Sequence, residues 1–141
     1  MRKSLRCQIQ MNILVGYNGS NESKDALRLA QIHAKLFDGI IKVVKSITRN
    51  HPLDYSVIQA AEENLEREIR NQLNGDKISY ETRLVVSSRS TGENLTWFAK
   101  LEKTDEIIVG VRRRSKVGKL LMGSTAQHVI LNAPCPVVSI K

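Results

Sequence analysis

The chain has 141 residues, 41% of them hydrophobic and 26% charged, a balance typical of one soluble globular domain with its own core. The formal net charge of +8 favours anionic partners in general, so charge alone does not choose among nucleotides, nucleic acids and acidic membranes. Aromatic residues make up only 4% of the chain, which disfavours a nucleic-acid surface built from stacking rings. Nucleic acid is therefore a less favoured partner than nucleotide.

Cysteine content and hydropathy limit the cellular compartments in which the protein is expected. The two cysteines, Cys7 and Cys135, form no C-x-x-C pair and are too few for a disulfide framework, which suits a reducing compartment. No metal site is expected from them. No apolar run approaches the roughly 20 residues that a membrane-spanning helix needs, and the basic start at residues 1–3 lacks a following apolar signal-peptide core. The sequence predicts a cytoplasmic protein without a membrane partner.

Five apolar strand patterns alternate with four helical patterns along residues 11–141, which are predicted to form one domain. Residues 1–10 are predicted to be a poorly ordered extension. The strands are predicted at residues 12–17, 40–47, 78–86, 106–109 and 137–140. The helices are predicted after residue 21, from about residue 54, after the loop 87–90, and from residue 124 to about 131.

Each helical pattern carries an apolar face that is expected to pack on a sheet. Gly39 is expected to mark the end of the first helix, and Ser90 with Glu93 predicts a capping box at the start of the third. The predicted core positions, helix by helix, are Leu27, Ala30, Ala34 and Phe37; Ile58, Ala61, Leu65 and Ile69; Leu95, Phe98 and Ala99; and Ala126, Val129 and Ile130.

The alternation of strands and helices predicts an α/β fold with parallel strands joined by crossover helices. Continuous apolar strands are covered on both faces, so the expected architecture is a doubly wound five-stranded sheet in the order 3-2-1-4-5. Strands one and four are then neighbours. The turn 18–20 and the loop 110–124 face each other across the point where the chain reverses direction, where ligands usually bind.

The loop from Gly110 to Ser124 joins a buried strand to a helix and is rich in arginine and lysine. A helix N-terminus leaves unpaired N–H groups and about half a positive charge, so an anion placed there is stabilised. The sequence Ser124-Thr125-Ala126-Gln127 matches an S-x-x-Q capping box. Two alternatives stay open: the arginines can be a solvated basic loop, and Gly123-Ser124 can be a plain helix cap.

These residues resemble the universal stress protein family, through strand one with its Asn-Gly-Ser turn, the glycine-bounded loop with Gly123-Ser124, and the closing segment 133–138. The ATP-binding motif of that family is G-x2-G-x9-G-[S/T]. Gly110 matches its first glycine, whereas Arg113 replaces its middle one. Asn18 stands where ATP-binding members usually have aspartate. The resemblance implies a Rossmann-like fold of the adenine nucleotide alpha hydrolase type and a homodimer formed through the last strand, 136–141.

The resemblance also implies a binding site for ATP or another adenine nucleotide, with Mg²⁺ held only weakly because Asn18 is neutral. Arg113 can block the approach of backbone to phosphate or form a bidentate contact with it. The expected site comprises Gly110, Arg112, Arg113, Gly123, Ser124 and Thr125 for phosphate, Gly16, Tyr17 and Ser46 for adenine, and Asn18 and Gly19 for the ribose or phosphate edge.

The function expected from this reading is a dimeric, nucleotide-binding sensor or adaptor in a stress response. Neither phosphate loop contains a carboxylate, so at most slow ATP hydrolysis is expected and no catalytic residue is assigned. The alternative is a nucleotide-free interaction module in which Arg113 fills the site.

Overall fold

The computed structural model describes residues 10–49, 51–111 and 122–141. Its sheet has five strands in the order β3-β2-β1-β4-β5, and every neighbouring pair is parallel. The predicted fold class and strand order are confirmed. The strands are β1 Asn12–Gly16, β2 Ile40–Thr48, β3 Ser79–Ser87, β4 Glu106–Gly110 and β5 Val137–Ile140. The helices are α1 Asn21–Phe37, α2 Tyr55–Gln72, α3 Thr91–Leu101 and α4 Ser124–Asn132. The predicted extension 1–10 lies, except for Gln10, outside the described residues.

Helices cover both faces of the sheet. On one face, α1 and α2 bury a cluster with alternate residues of the central strands, including Leu27, Ile69 and Val15. On the other face, α3 and α4 bury a second cluster that includes Leu95 and Val129. Because strand side chains alternate between faces, β1 sends Ile13 and Val15 to the first cluster and Leu14 to the second, and Tyr17, directly after β1, joins the first. The structure is therefore three-layered, as a doubly wound sheet requires.

Some predicted core positions are wrong. Phe37 is 54% exposed, and its ring packs edge to face on His33 with the centroids 6.0 Å apart. Ile130 is 42% exposed because the short helix α4 buries only Ala126 and Val129. In α2, only the second half of the predicted face is buried. Helical spacing identifies the side that faces the sheet, but it does not say how far along the helix the sheet extends.

Gly39 permits a close approach between α1 and β1. The left-handed residue after α1 is Asp38, at a φ of 50°, rather than the glycine. A Cβ on Gly39 would lie 3.0 Å from the carbonyl oxygen of Met11, which accepts a hydrogen bond from the N–H of Ile40. Glycine at this position therefore lets the chain enter β2 directly beside β1.

Lys42 of β2 points to the α3 face and is almost completely buried, so its ammonium group depends on a partner. Its Nζ donates to Oε2 of Glu102, 2.6 Å away, at the residue that follows α3. This hydrogen bond and the charge of Lys42 hold the pKa of the Glu102 carboxyl below its usual range. The pair ties the end of α3 to the middle of the sheet.

We expect Glu102→Gln to lower the free energy of unfolding by about 2 kcal/mol at pH 7, because it leaves a buried ammonium without a charged partner. The folded-state pKa of Glu102 is depressed, so its contribution is present above the unfolded-state pKa of about 4.3 and is lost as the pH falls through the lower folded value. Urea unfolding of both proteins from pH 7 to pH 3 measures this; a constant difference would contradict it.

Candidate functional site

A cavity of about 470 Å³ opens at the edge of the sheet where the parallel strands end. Residues at the ends of β1, β2 and β4 and at the starts of α1, α3 and α4 line it. Eight of the predicted site residues come together in this lining: Gly16, Tyr17, Asn18, Ser46, Gly110, Gly123, Ser124 and Thr125. Gly19 lies beside the cavity, in the turn after Asn18. Arg112 and Arg113 lie outside the described residues.

Sequence reasoning missed several residues of the lining. The most notable are Glu22 and Ser23 in the first turn of α1, Thr91 at the start of α3, and Leu95 in the second turn of α3. A signal for them was present, since each of these helices follows a strand of a parallel sheet and must begin at the same edge. Glu22 in particular adds an acidic residue to the cavity lining, although neither predicted phosphate loop contains one.

Side-chain caps hold the turn after β1 in place. Asn18 Oδ1 accepts a hydrogen bond of 3.0 Å from the N–H of Ser20, which forms an Asx turn. Gly19 adopts a φ of 83°, a left-handed conformation that favours glycine. Ser20 caps α1, with its Oγ accepting from the N–H of Ser23 at 3.2 Å. One amide atom of Asn18 is therefore used within the turn, and its Nδ2 is the atom that can donate to a ligand.

Tyr17 has a structural role. Its ring belongs to the core cluster under α1 and α2, and its hydroxyl donates to Oε1 of Glu68 at 2.7 Å. Burial, followed by the bond to Glu68 and the charge of that residue, raises the pKa of Tyr17 well above its ordinary range. The phenol stays protonated at neutral pH and is already hydrogen-bonded on the face opposite α3.

Gly110 is required for packing. A Cβ on Gly110 would lie 2.6 Å from the carbonyl carbon and the Cβ of Glu22 and 2.7 Å from its oxygen. The first turn of α1 therefore rests directly on the end of β4. The glycine predicted for phosphate contact brings the turn after β1 and the end of β4 together.

The start of α4 differs from the starts of α1 and α3. The predicted capping box at α3 is present, with Ser90 and Glu93 bonded to each other's backbone N–H groups. The box predicted at Ser124 and Gln127 is wrong, because the cap residue is Gly123 and no side-chain cap bond forms. The helix begins one residue earlier than that motif requires, so the Gln127 side chain donates to the carbonyl of Met122 instead.

This difference gives α4 the capacity to bind an anion. Its first residues, Ser124 to Ala126, line the cavity, and the N–H groups of a first helical turn have no partner within the helix. In α1 and α3, serine oxygens already accept from such groups. Among the helix starts around the cavity, α4 is the one whose first turn no described side chain caps.

A chain of hydrogen bonds reaches the cavity at Ser46. The buried Asn94 of α3 donates from Nδ2 to Ser46 Oγ at 2.8 Å and accepts at Oδ1 from Ser87 Oγ at 3.0 Å. Beside Ser46, the floor is apolar: a Cβ on Gly16 would lie 2.9 Å from Leu95 Cδ1. This end of the cavity combines a hydroxyl with an apolar surface, a combination suited to a flat heterocyclic ring.

The described residues contain no group of three or more His, Cys, Asp or Glu side chains that could hold a metal ion. No helix in this part of the chain is long and apolar enough to cross a membrane.

A parallel sheet with this strand order and a cavity at the strand ends defines a doubly wound α/β protein of the Rossmann-like class. The chain belongs to the universal stress protein family, whose sequence profile matches residues 11–141. Residues 112–121 fall inside that match.

Relatives and solved structures agree with this assignment. A universal stress protein of Thermus aquaticus is 31% identical over 139 residues, covering 92% of this chain and 97% of the relative. One from Mycolicibacterium smegmatis is 28% identical over 129 residues, covering 92% and 96%. The structure of the universal stress protein from Archaeoglobus fulgidus in complex with dAMP has a TM-score of 0.75 and 27% identity, covering 94% of this chain and 99% of that one.

We expect Gly110→Ala to lower the free energy of unfolding by about 2 kcal/mol, because the added methyl group collides with the backbone of α1. Gly123→Ala is the matched control: no described residue lies within 4 Å of its Cβ position, and its φ of −64° suits alanine. The control is expected to change stability by less than about 0.5 kcal/mol. Chemical unfolding compares the two, and equal losses would contradict the packing role of Gly110.

Proposed function

We propose that this protein binds an adenine nucleotide in the cavity at the carboxyl edge of the sheet, with residues 11–141 forming one nucleotide-binding domain. The main support for this proposal is the start of α4. Its first turn lines the cavity, and its cap residue, Gly123, has no side chain to cap that turn. The dAMP complex of the Archaeoglobus fulgidus relative supports the choice of ligand. A nucleotide has the phosphate that this helix start attracts and a ring for the apolar end.

In this proposal the phosphate lies on the N–H groups and hydroxyls of Ser124 and Thr125. Gly123 adds no side chain there, so the backbone can approach the phosphate closely. Arg112 and Arg113 supply positive charge from the loop after β4. An arginine can form two parallel hydrogen bonds to a phosphate, which offsets the missing middle glycine of the family motif.

The base occupies the other end of the cavity. Ser46, Gly16 and Leu95 lie there, at the ends of β2 and β1 and on the facing turn of α3. From β2 to β4 the cavity crosses two strand spacings, about 10 Å, which is close to the distance from base to phosphate in a nucleotide. Asn18, at the end of β1 between them, faces the ribose. Gly19 supports Asn18 through its left-handed turn.

Mg²⁺ binding is weak in this proposal. Asn18 is a neutral amide whose Oδ1 already accepts from Ser20, so it offers no carboxylate to the metal. Glu22 is an acidic residue of the lining, but no second acidic residue is among the described residues that line the cavity. Chelation of Mg²⁺ is therefore expected to change nucleotide affinity little.

The nucleotide site is tested with Ser124→Asp. An acidic residue in a first helical turn stabilises the helix by up to about 1 kcal/mol, so the fold is kept. The new carboxylate would occupy the phosphate position and repel the ligand, and we expect the affinities for AMP, ADP and ATP to fall by about tenfold or more. Isothermal titration calorimetry, with and without chelator, measures these affinities.

Ser56→Asp is the matched control. It adds the same charge to the first turn of α2, which does not line the cavity, and Ser56 is exposed. Its nucleotide affinities should equal those of the unmodified protein. No binding of any adenine nucleotide at millimolar concentration would reject the proposal and favour a nucleotide-free interaction module.

The protein acts as a homodimer through β5 in this proposal. β5 lies at an edge of the sheet. The carbonyls of Pro136 and Ile140 accept from Ile107 and Val111 of the β4 side. Alternate residues of a strand direct their polar backbone groups to opposite edges, so the groups of Ser139 point to the open side. No described strand pairs with this side of β5, and an open edge of this kind favours pairing with the same strand of a second copy.

We expect Ser139→Pro to convert the dimer to a monomer, because proline removes an N–H from the open edge while leaving the bonds to β4 intact. Stability of the monomer should change little for the same reason. Ser139→Ala keeps the N–H and is the control that should remain dimeric. Analytical ultracentrifugation at micromolar concentration distinguishes them; a monomeric unmodified protein, or a Ser139→Pro dimer, would contradict the proposal.

The biological role that follows is a cytoplasmic sensor or adaptor in a stress response, whose dimer changes its interactions with nucleotide occupancy. Catalysis is not part of this proposal. The hydroxyls and amides that line the cavity do not accept a proton at neutral pH, and Glu22 is placed on the α1 wall beside Gly110.

A further inference from the structure

Asn94 is a buried amide that reaches the cavity only through another side chain. It is 2% exposed, lies in α3, and bridges Ser46 of β2 to Ser87 of β3. Buried amides are usually satisfied by the backbone or by other side chains, and both polar atoms of Asn94 are used in this way. Of its two serine partners, Ser46 is the one that lines the cavity.

The hydrogen bonds of this network run in one direction. The backbone N–H of Arg89 can only donate, and it donates to Ser87 Oγ at 3.2 Å. The Ser87 hydroxyl passes its own hydrogen to Asn94 Oδ1 at 3.0 Å. Asn94 then presents Nδ2 to Ser46 Oγ at 2.8 Å. Every bond runs from β3 toward the cavity.

The hydroxyl of Ser46 receives a hydrogen bond and must direct its own hydrogen elsewhere. A hydroxyl has one hydrogen and two lone pairs, and Asn94 fills one of the lone pairs. Asn94 turns Nδ2 to Ser46 and Oδ1 to Ser87, so Oδ1 is not placed to accept that hydrogen. Among the described residues none accepts a hydrogen bond from Ser46, and Ser46 lines the cavity, so its hydroxyl can donate to a ligand at the apolar end.

We propose that Asn94 is a positioning residue that, by orienting the Ser46 hydroxyl as a donor, favours a purine whose N1 is unprotonated and can accept a hydrogen bond. This inference rests on the proposed nucleotide site. Adenine has an unprotonated N1, whereas hypoxanthine carries an N–H at the same place and an oxygen in place of the amino group. A donor facing that N–H leaves both hydrogens without an acceptor, which discriminates against the ligand.

The test reverses the direction of the hydrogen bond between residue 94 and Ser46. In Asn94→Asp the introduced carboxylate accepts from both serines, so the hydrogen of Ser46 turns away from the cavity and its lone pairs face the ligand. Dissociation constants for AMP and inosine monophosphate are measured by calorimetry on the full chain, together with thermal unfolding. The unmodified protein should prefer AMP by about tenfold, and Asn94→Asp should lower that preference by about tenfold or more.

A structural role of Asn94 alone would change stability without changing the ratio of the two affinities. Ser46→Ala removes the hydroxyl, so its preference for AMP should fall toward one, and adding Asn94→Asp to it should leave the ratio unchanged. An AMP preference that is absent in the unmodified protein, or retained in folded Asn94→Asp, overturns the inference. If Asn94→Asp does not fold, an unchanged ratio in Ser46→Ala overturns it. Failure of the unmodified protein to bind either nucleotide rejects the proposed function as well.

Discussion

The parallel pairing of every strand is the constraint on which the rest of this structure depends. Because all strands run the same way, each helix that follows a strand begins at the same edge of the sheet. The starts of α1, α3 and α4 therefore converge on one cavity, although they lie far apart in the chain. Helix starts carry unpaired N–H groups, so this edge would be electropositive even without side chains.

Capping decides which helix start can serve a ligand. Ser20 and Ser90 supply oxygen atoms to the first turns of α1 and α3, and this satisfies groups that would otherwise need water or a ligand. The start of α4 has Gly123 at the same position, without a side-chain oxygen. The lost cap weakens the helix and opens its first turn, so local stability and binding capacity have opposite requirements at this residue.

The glycines of the site have different physical roles, which their shared residue type does not reveal. Gly110 allows α1 to rest on β4, because any Cβ would collide with Glu22. Gly19 supplies a left-handed turn, whereas Gly123 has ordinary backbone angles and no described residue within 4 Å of its Cβ position. Gly110 and Gly19 are therefore explained by the fold alone. Gly123 is the glycine whose presence the described structure does not require, which is consistent with a role in binding.

The sequence by itself determined the order of strands and helices, since continuous apolar runs and helical spacing follow from local chain geometry. It also predicted half of the described cavity lining, because the Asn-Gly-Ser turn and Gly123-Ser124 directly follow or precede predicted elements. The tertiary structure decided what each residue faces. Tyr17 turns its ring into the core, Glu22 enters the wall, and Asn94 links two strands to the cavity. These outcomes depend on contacts between segments distant in the chain, and no local pattern encodes such contacts.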